Sequence, residues 1–232
     1  VTVELTLHTL LDALAVVGCH TPHAIFAGGA RYVPPSATAR VAAETTVELA
    51  AAGLVAGTRL TPEFEDILHV LGKPHTEYFA HVRADGEQHH SLVAARGRSV
   101  VVAVRIGERV RLDTATTRDL PGLLVRSLPQ SDAARFEPFL VHTRRSGESP
   151  DSLDGAGDLR RLLSRPERGI GYLHVARRPG RGTRVEADGT VYYLDADLGR
   201  VGLHRECDRV TVFPGRPDLL AARVAALRAT LA

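Results

Sequence analysis

Residues 77–115 read EYFAHVRADGEQHHSLVAARGRSVVVAVRIGERVRLDTA, and the rhythm of this stretch decides the fold. Successive side chains of a β-strand point to opposite faces. In 77–84, Tyr78, Ala80 and Val82 alternate with Glu77, His81 and Arg83. Asp85-Gly86 then supplies the residues that a two-residue hairpin turn demands. A second strand, 88–96, ends at Arg96-Gly97. The third, 99–106, is the most apolar: Val100, Val102, Val104 and Ile106 share one face, with Val101 and Ala103 opposite. Apolar residues on both faces predict a central strand covered on both sides. Gly107-Glu108 turns the chain, and 109–115 returns as a half-exposed strand. Four strands joined by tight turns predict an antiparallel meander.

The residues before this stretch read as helices. In 6–17, Leu7, Leu10, Leu11, Leu14 and Val17 recur at three- and four-residue spacing, and Gly18 ends the run. Residues 19–35 are rich in Pro and Gly and read as a long loop. A second helix is expected over 37–52, with Ser36 as N-cap. A third opens at Thr61-Pro62 and aligns Phe64, Ile67, Leu68 and Leu71 before Gly72 and Pro74. A short helix is expected at about 120–128.

The second half repeats the order. A helix at 158–164, with Asp158 as N-cap, precedes strands at 170–177, 183–186, 190–195, 200–206 and 209–213. A closing helix at 218–231, with Asp218 as N-cap, carries Leu220, Val224, Leu227 and Leu231 in a stripe. The expected fold class is therefore α+β: a central antiparallel sheet flanked by helices, with a quasi-two-fold repeat of strands followed by a helix. One domain, 1–232, is expected. Its N-terminal half is 1–143 and its C-terminal half 159–232, with the polar segment at about 144–158 as a mobile connection.

Composition narrows the function. The chain is 44% hydrophobic and 24% charged, which suits a globular protein, and its formal charge of +2 gives no reason to expect a polyanionic partner. Lys73 is the only lysine among 29 basic residues, which reads as the codon bias of a GC-rich genome. Two cysteines, Cys19 and Cys207, are too few for a disulfide scaffold and read as buried thiols. No basic segment followed by an apolar run marks a secretory signal, and no apolar run reaches membrane-spanning length. A cytoplasmic location and no membrane insertion are expected.

Motifs for chemistry are missing. There is no phosphate loop ending in Lys-Ser or Lys-Thr, no Gly-x-Ser-x-Gly elbow, no His-Glu-x-x-His helix and no paired Cys-x-x-Cys. Gly155-Ala156-Gly157 lacks the third glycine of a dinucleotide fingerprint. Cys19, His20 and His23 cluster, but in a loop without a fourth ligand. His89 and His90 are adjacent on a strand and should face opposite ways. The Arg177–Arg184 run reads better as a soluble hairpin loop than as a nucleic-acid grip, because Tyr192 and Tyr193 are neighbours on one strand and make no stacking platform. The expectation is no catalytic residue, no metal, no cofactor and no nucleic acid.

Several strings in a fixed order carry a resemblance. They are Leu49-Ala50-Ala51-Ala52-Gly53-Leu54-Val55, Thr61-Pro62-Glu63-Phe64, Ala95-Arg96-Gly97-Arg98, Val102-Ala103-Val104-Arg105, Asp195-Ala196-Asp197-Leu198-Gly199-Arg200 and Arg209-Val210-Thr211-Val212. Over nearly its whole length the chain resembles the EspG family of ESX (type VII) secretion-associated proteins of actinobacteria. The resemblance implies a central antiparallel sheet with helical bundles in a quasi-two-fold arrangement. It implies a chaperone that binds the hydrophobic tip of a PE–PPE helical heterodimer, or another helical ESX substrate, keeps it soluble and directs it to the secretion machinery. The implied partner surface uses the sheet, the loop joining its second and third strands, and the C-terminal helices. That loop maps to Arg96, Gly97, Arg98 and Ser99, and the strand after it adds Val101, Ala103 and Arg105. A homodimer is left open. Two other readings compete: a small-molecule protein or enzyme with a cleft between the halves that uses His174 or His204, and a nucleic-acid module using 177–184.

Overall fold

A computed structural model describes residues 2–29, 32–142, 156–180, 182–206 and 209–231. The chain opens with strand β1 (Thr2–Thr6) and helix α1 (Leu7–Val16). Single 3-10 turns at Ala24–Phe26 and Pro35–Ala37 lead to α2 (Thr38–Ala51), a small hairpin of β2 (Val55–Ala56) and β3 (Arg59–Leu60), and α3 (Pro62–Gly72). The meander follows as β4 (Thr76–Ala84), β5 (Glu87–Arg96), β6 (Ser99–Ile106) and β7 (Arg109–Ala115), closed by α4 (Leu120–Arg126). Then come β8 (Phe139–His142), α5 (Ala156–Leu163), β9 (Gly169–Arg177), β10 (Val185–Glu186), β11 (Thr190–Ala196), β12 (Gly199–Glu206), β13 (Arg209–Pro214) and α6 (Pro217–Ala229).

All but β2 and β3 form one 11-stranded sheet in the order β1-β7-β6-β5-β4-β9-β11-β12-β13-β8, with β10 also paired to β9. Every pairing between these strands is antiparallel. Local chemistry sets the first hairpin. Asp85 and Gly86 both take positive φ, 50° and 83°, as a turn matched to strand twist requires. The two meanders meet where β4 pairs with β9 from Thr76↔Arg177 to Ala84↔Gly169.

The order is that of a duplication. Each half runs edge strand, helical segment, meander, helix: β1 to α4, then β8 to α6. β8, which the expected boundary at 143 assigns to the first half, pairs with β13 at the edge of the second. The expected connection at 144–158 lies mostly outside the described residues, and its last three open α5.

Strand alternation sorts the core into layers. Phe79, Leu92, Ala103 and Leu112 stand opposite one another on one face. There they pack with Leu10 of α1 and with Phe64 and Leu68 of α3. Burying a side chain of that size is worth about 1.5–3 kcal/mol. Tyr78, Val93 and Val102 point the other way, into a core with α4 and α6. A third core joins Leu203 and Val212 to Leu159 and Leu162 of α5, on the same face as α1–α3.

Several helix starts differ from expectation. Ser36 lies inside the 3-10 turn, and α2 starts from Ala37 with no side-chain cap. Asp158 and Asp218 stand inside the first turns of α5 and α6, where the helix dipole favours their negative charge. The start of α1 is capped from another helix. Glu48 of α2 accepts from the Thr6 amide at 2.6 Å, the Thr6 hydroxyl at 2.7 Å and the Thr9 hydroxyl at 2.5 Å. The edge strands β1 and β8 were missed because five and four residues give too little alternation to read.

A buried ion pair fixes the link between the halves. Arg200 donates to both oxygens of Asp195 at 2.7 Å and to the Pro129 carbonyl at 2.8 Å. Its guanidinium also lies 3.9 Å from the centre of the Tyr193 ring. Gly199 beside it takes φ 106°, where a Cβ would press on the Asp132 carbonyl and the Ala134 amide. Removing one partner of a buried pair strands the other charge, so Arg200→Ala is expected to cost about 3–5 kcal/mol in denaturant unfolding. Arg165→Ala, which breaks the exposed pair with Asp197, is expected to leave the midpoint unchanged.

Candidate functional site

The duplication is unequal, and the inequality exposes a surface. Over β1, β7, β6 and β5, α1 and α3 cover the sheet and α2 packs on α1. Over the second half, the same face carries α5 with Phe136, Phe139 and Leu198. Between these coverings the side chains of β4, β9 and β11 form an open strip. Tyr172 and Tyr192 are cross-strand partners whose rings stack at 6.1 Å with an interplanar angle of 26°. Tyr172 is 43% exposed, and Ile170 beside it is half-buried.

Local sequence explains the strip. β9 opens Gly169-Ile170-Gly171-Tyr172, so over its first four residues the bulky side chains fall on the open face and the glycines on the other. A Cβ at Gly171 would overlap the Tyr193 ring, which fills that space from β11. The sequence hides this platform because it sets Tyr192 beside Tyr193, whose side chain points to the other face. The true partner of Tyr192, Tyr172, lies on a different strand. The glycine-bulky alternation of β9 is the signal that would have found it.

Toward α1–α3 the strip turns imidazole-rich. Phe79 stacks on His174 at 5.0 Å and meets the edges of His23 at 4.7 Å and His81 at 5.8 Å. His81 and His90 approach through their Nδ1 atoms at 3.0 Å. Glu77, 2% exposed, accepts from Arg184 at 2.7 Å and lies 3.3 Å from His23 Nε2. Arg184 also reaches Glu186 at 3.0 Å, and Glu186 stands 3.1 Å from His174 Nδ1. Burial pushes the Glu77 carboxyl up, but the His23 and Arg184 partners outweigh it and hold the group below the ordinary carboxylate value.

The expected partner residues separate into two groups. Arg96, Gly97, Arg98 and Ser99 form the exposed turn between β5 and β6. Thr76, which pairs near that turn, is five residues from His81, about 17 Å along the strand. Val101 and Ala103 are 1% and 0% exposed inside the core with α1 and α3, so they support the sheet and offer no contact surface. Arg105 donates to the carbonyls of Ile25 at 2.9 Å and Ala27 at 2.6 Å, and so pins the 19–29 loop to the sheet.

The competing chemistries find little support. A cleft of about 1290 Å³ lies between the 129–139 connection, α5 and the β11–β12 hairpin. Neither His174 nor His204 lines it, and its Asp195 and Asp197 are paired to Arg200 and Arg165. His23 Nδ1 accepts from the Ile25 amide while the Cys19 thiol contacts the Gly72 carbonyl, so the loop residues do not converge. Among the described residues no group of three or more His, Cys, Asp or Glu is placed to hold a metal ion. Arg177 is spent on the Leu231 carbonyl and Arg184 on Glu77 and Glu186, while Arg181 lies outside the described residues. No helix among the described residues is long and apolar enough to cross a membrane.

Glu77 gives the site a measurable signature. Its folded value is depressed, so its stabilisation is fully present above the ordinary 4.5 and is lost as pH falls through the lower folded value. Glu77→Gln is expected to lower the unfolding midpoint at pH 7 and to shrink that loss below pH 4.5, as followed by denaturant titrations across the acid range.

Comparison with known proteins places these features. The profile of the EspG family matches residues 6–226. Among solved structures, the Mycobacterium tuberculosis type VII secretion system chaperone EspG5, solved in complex with the PE25–PPE41 dimer, superposes with a TM-score of 0.73 at 16% identity. The match covers 98% of this chain and 95% of that one, a likeness of fold. No curated protein matches the chain.

Proposed function

The chain belongs to the EspG family, and from that premise we propose that it is a cytoplasmic type VII secretion chaperone. In this reading it captures a PE–PPE-like helical heterodimer, shields the dimer's apolar tip and directs it to the secretion machinery. It does so without catalysis, as a binding surface. The observation that carries this reading is the open strip. Where α1 and α3 cover the first half of the sheet, the second half leaves Tyr172 exposed, with Ile170 and Tyr192 half-buried beside it. A partner's helical end would take the place of that missing layer.

The physics suits such a partner. Aromatic side chains on a rigid sheet supply large contact area at little entropic cost, and stacked tyrosines keep hydroxyls for a polar rim. The charged groups on the strip are neutralised within it, by Glu77–Arg184 and by Arg83–Glu167 at its end, so an apolar tip would meet few unpaired charges. The exposed Arg96–Ser99 turn lies farther out and fits a peripheral contact, one that tunes association more than affinity.

Co-expression with PE–PPE-like pairs from the same genome, followed by gel filtration, tests the proposal. One copy of this chain is expected to co-elute with one heterodimer, and failure with every such pair would refute it. Tyr172→Glu is expected to weaken capture about 30-fold or more, as loss of a central aromatic anchor does, with little change in unfolding midpoint. Arg98→Glu is expected to change affinity by less than about fivefold and to act mainly on the association rate.

A further inference from the structure

We infer that the docking strip is proton-linked: His81, His90 and His174 must be neutral for an apolar partner to seat, so acidification loosens capture. This rests on the strip being the docking face.

The geometry supplies the linkage. His81 and His90 meet Nδ1 to Nδ1 at 3.0 Å, half-buried, on neighbouring strands. With both rings neutral, one N–H donates to the other's lone pair. A first added proton goes to the outer Nε2 of the donating ring and leaves that shared hydrogen bond in place. A second leaves two N–H groups facing each other, so the pair must break or stay singly charged. The two rings therefore titrate as a coupled unit.

The surroundings do little to welcome the proton. From β4 come Glu77, spent on Arg184 and His23, and Arg83, paired with Glu167. From β6 comes Arg105, whose charge sits beside His90 while its donors bind carbonyls. β9 contributes His174 and Tyr172, and β11 contributes Tyr192. Glu186 of β10 is shared between His174 and Arg184, and His23 approaches from the 19–29 loop. His89 faces the other side of the sheet. Among the described residues, neither His81 nor His90 touches a carboxylate. Glu186 favours the proton on His174 and His81, but burial outweighs it and pushes His81, His174 and His90 below the ordinary imidazole value, His90 to about 4.

Linkage sets the sign. An apolar cover removes the remaining water and favours the neutral rings further, so proton and partner compete. Affinity is highest well above the ordinary value of 6.5 and declines as pH falls through the lowered values of the free chain. Each proton excluded on binding weakens affinity by up to about tenfold per pH unit.

The test uses the full chain with Nile red, a dye that is uncharged throughout the range, so only the protein titrates. Bound emission is expected to fall at least about threefold between pH 7.5 and pH 4, and to stay flat in the His81→Phe, His90→Phe, His174→Phe triple variant. Tyr172→Glu should abolish the signal at both pH values. If it does not, the strip is not the apolar face and the inference falls with that reading. If Tyr172→Glu abolishes a signal that is flat with pH in the unaltered chain, the proton linkage alone is overturned. NMR of the imidazole C–H groups needs no variant: His81 and His90 should titrate in two separated, linked steps, and independent single steps near 6.5 would overturn the inference.

Discussion

The nine-residue seam between β4 and β9 is the constraint on which the molecule rests. It joins two meanders that otherwise share little, and it fixes which side chains share a face across the whole sheet. A slip of β9 by one residue against β4 would send Tyr172 and His174 into the α4–α6 core and turn Leu173 and Val175 outward. Both faces of the seam resist that slip. On one side Tyr78, Val175 and Leu173 are packed by α4 and α6, and on the other Glu77 is paired with His23 and Arg184.

Much of this was legible in the sequence, for a physical reason. The β4–β7 meander is made of local contacts, and alternation plus turn residues encode such contacts directly. The division of Val100 and Val102 from Val101 and Ala103 could be read off the same alternation. What could not be read was which helix lies over which face. Val101 and Ala103 enter the partner surface only through the family resemblance, whereas the apolar pattern of their own strand points to cover on both faces, and α1 and α3 supply it. Arg105 looked like a contact residue because its acceptors lie nearly 80 positions away. The tyrosine stack was hidden for the same reason, since its members come from β9 and β11.

Duplication with unequal decoration is an economical way to make a binding face. Two similar halves bury the opposite side of the sheet jointly, through α4 and α6, and the sheet becomes rigid. The first half then covers its other face with its own helices, while the second covers less of it. The result is a preordered apolar strip that pays little entropy on contact. The proposed capture role fits such a surface, which needs shape and dryness more than reactive groups.

The Glu48 contacts have a consequence for motion. α2 buries only Thr45 and Leu49 of its 14 residues. It is tied to α1 largely by polar bonds: Glu48 to Thr6 and Thr9, and Asp12 to Thr45 at 2.7 Å. Water can replace each of those bonds at small net cost. α2 can thus swing off α1 while the sheet and the other layers hold, so the molecule has a shallow, local opening well below its global unfolding.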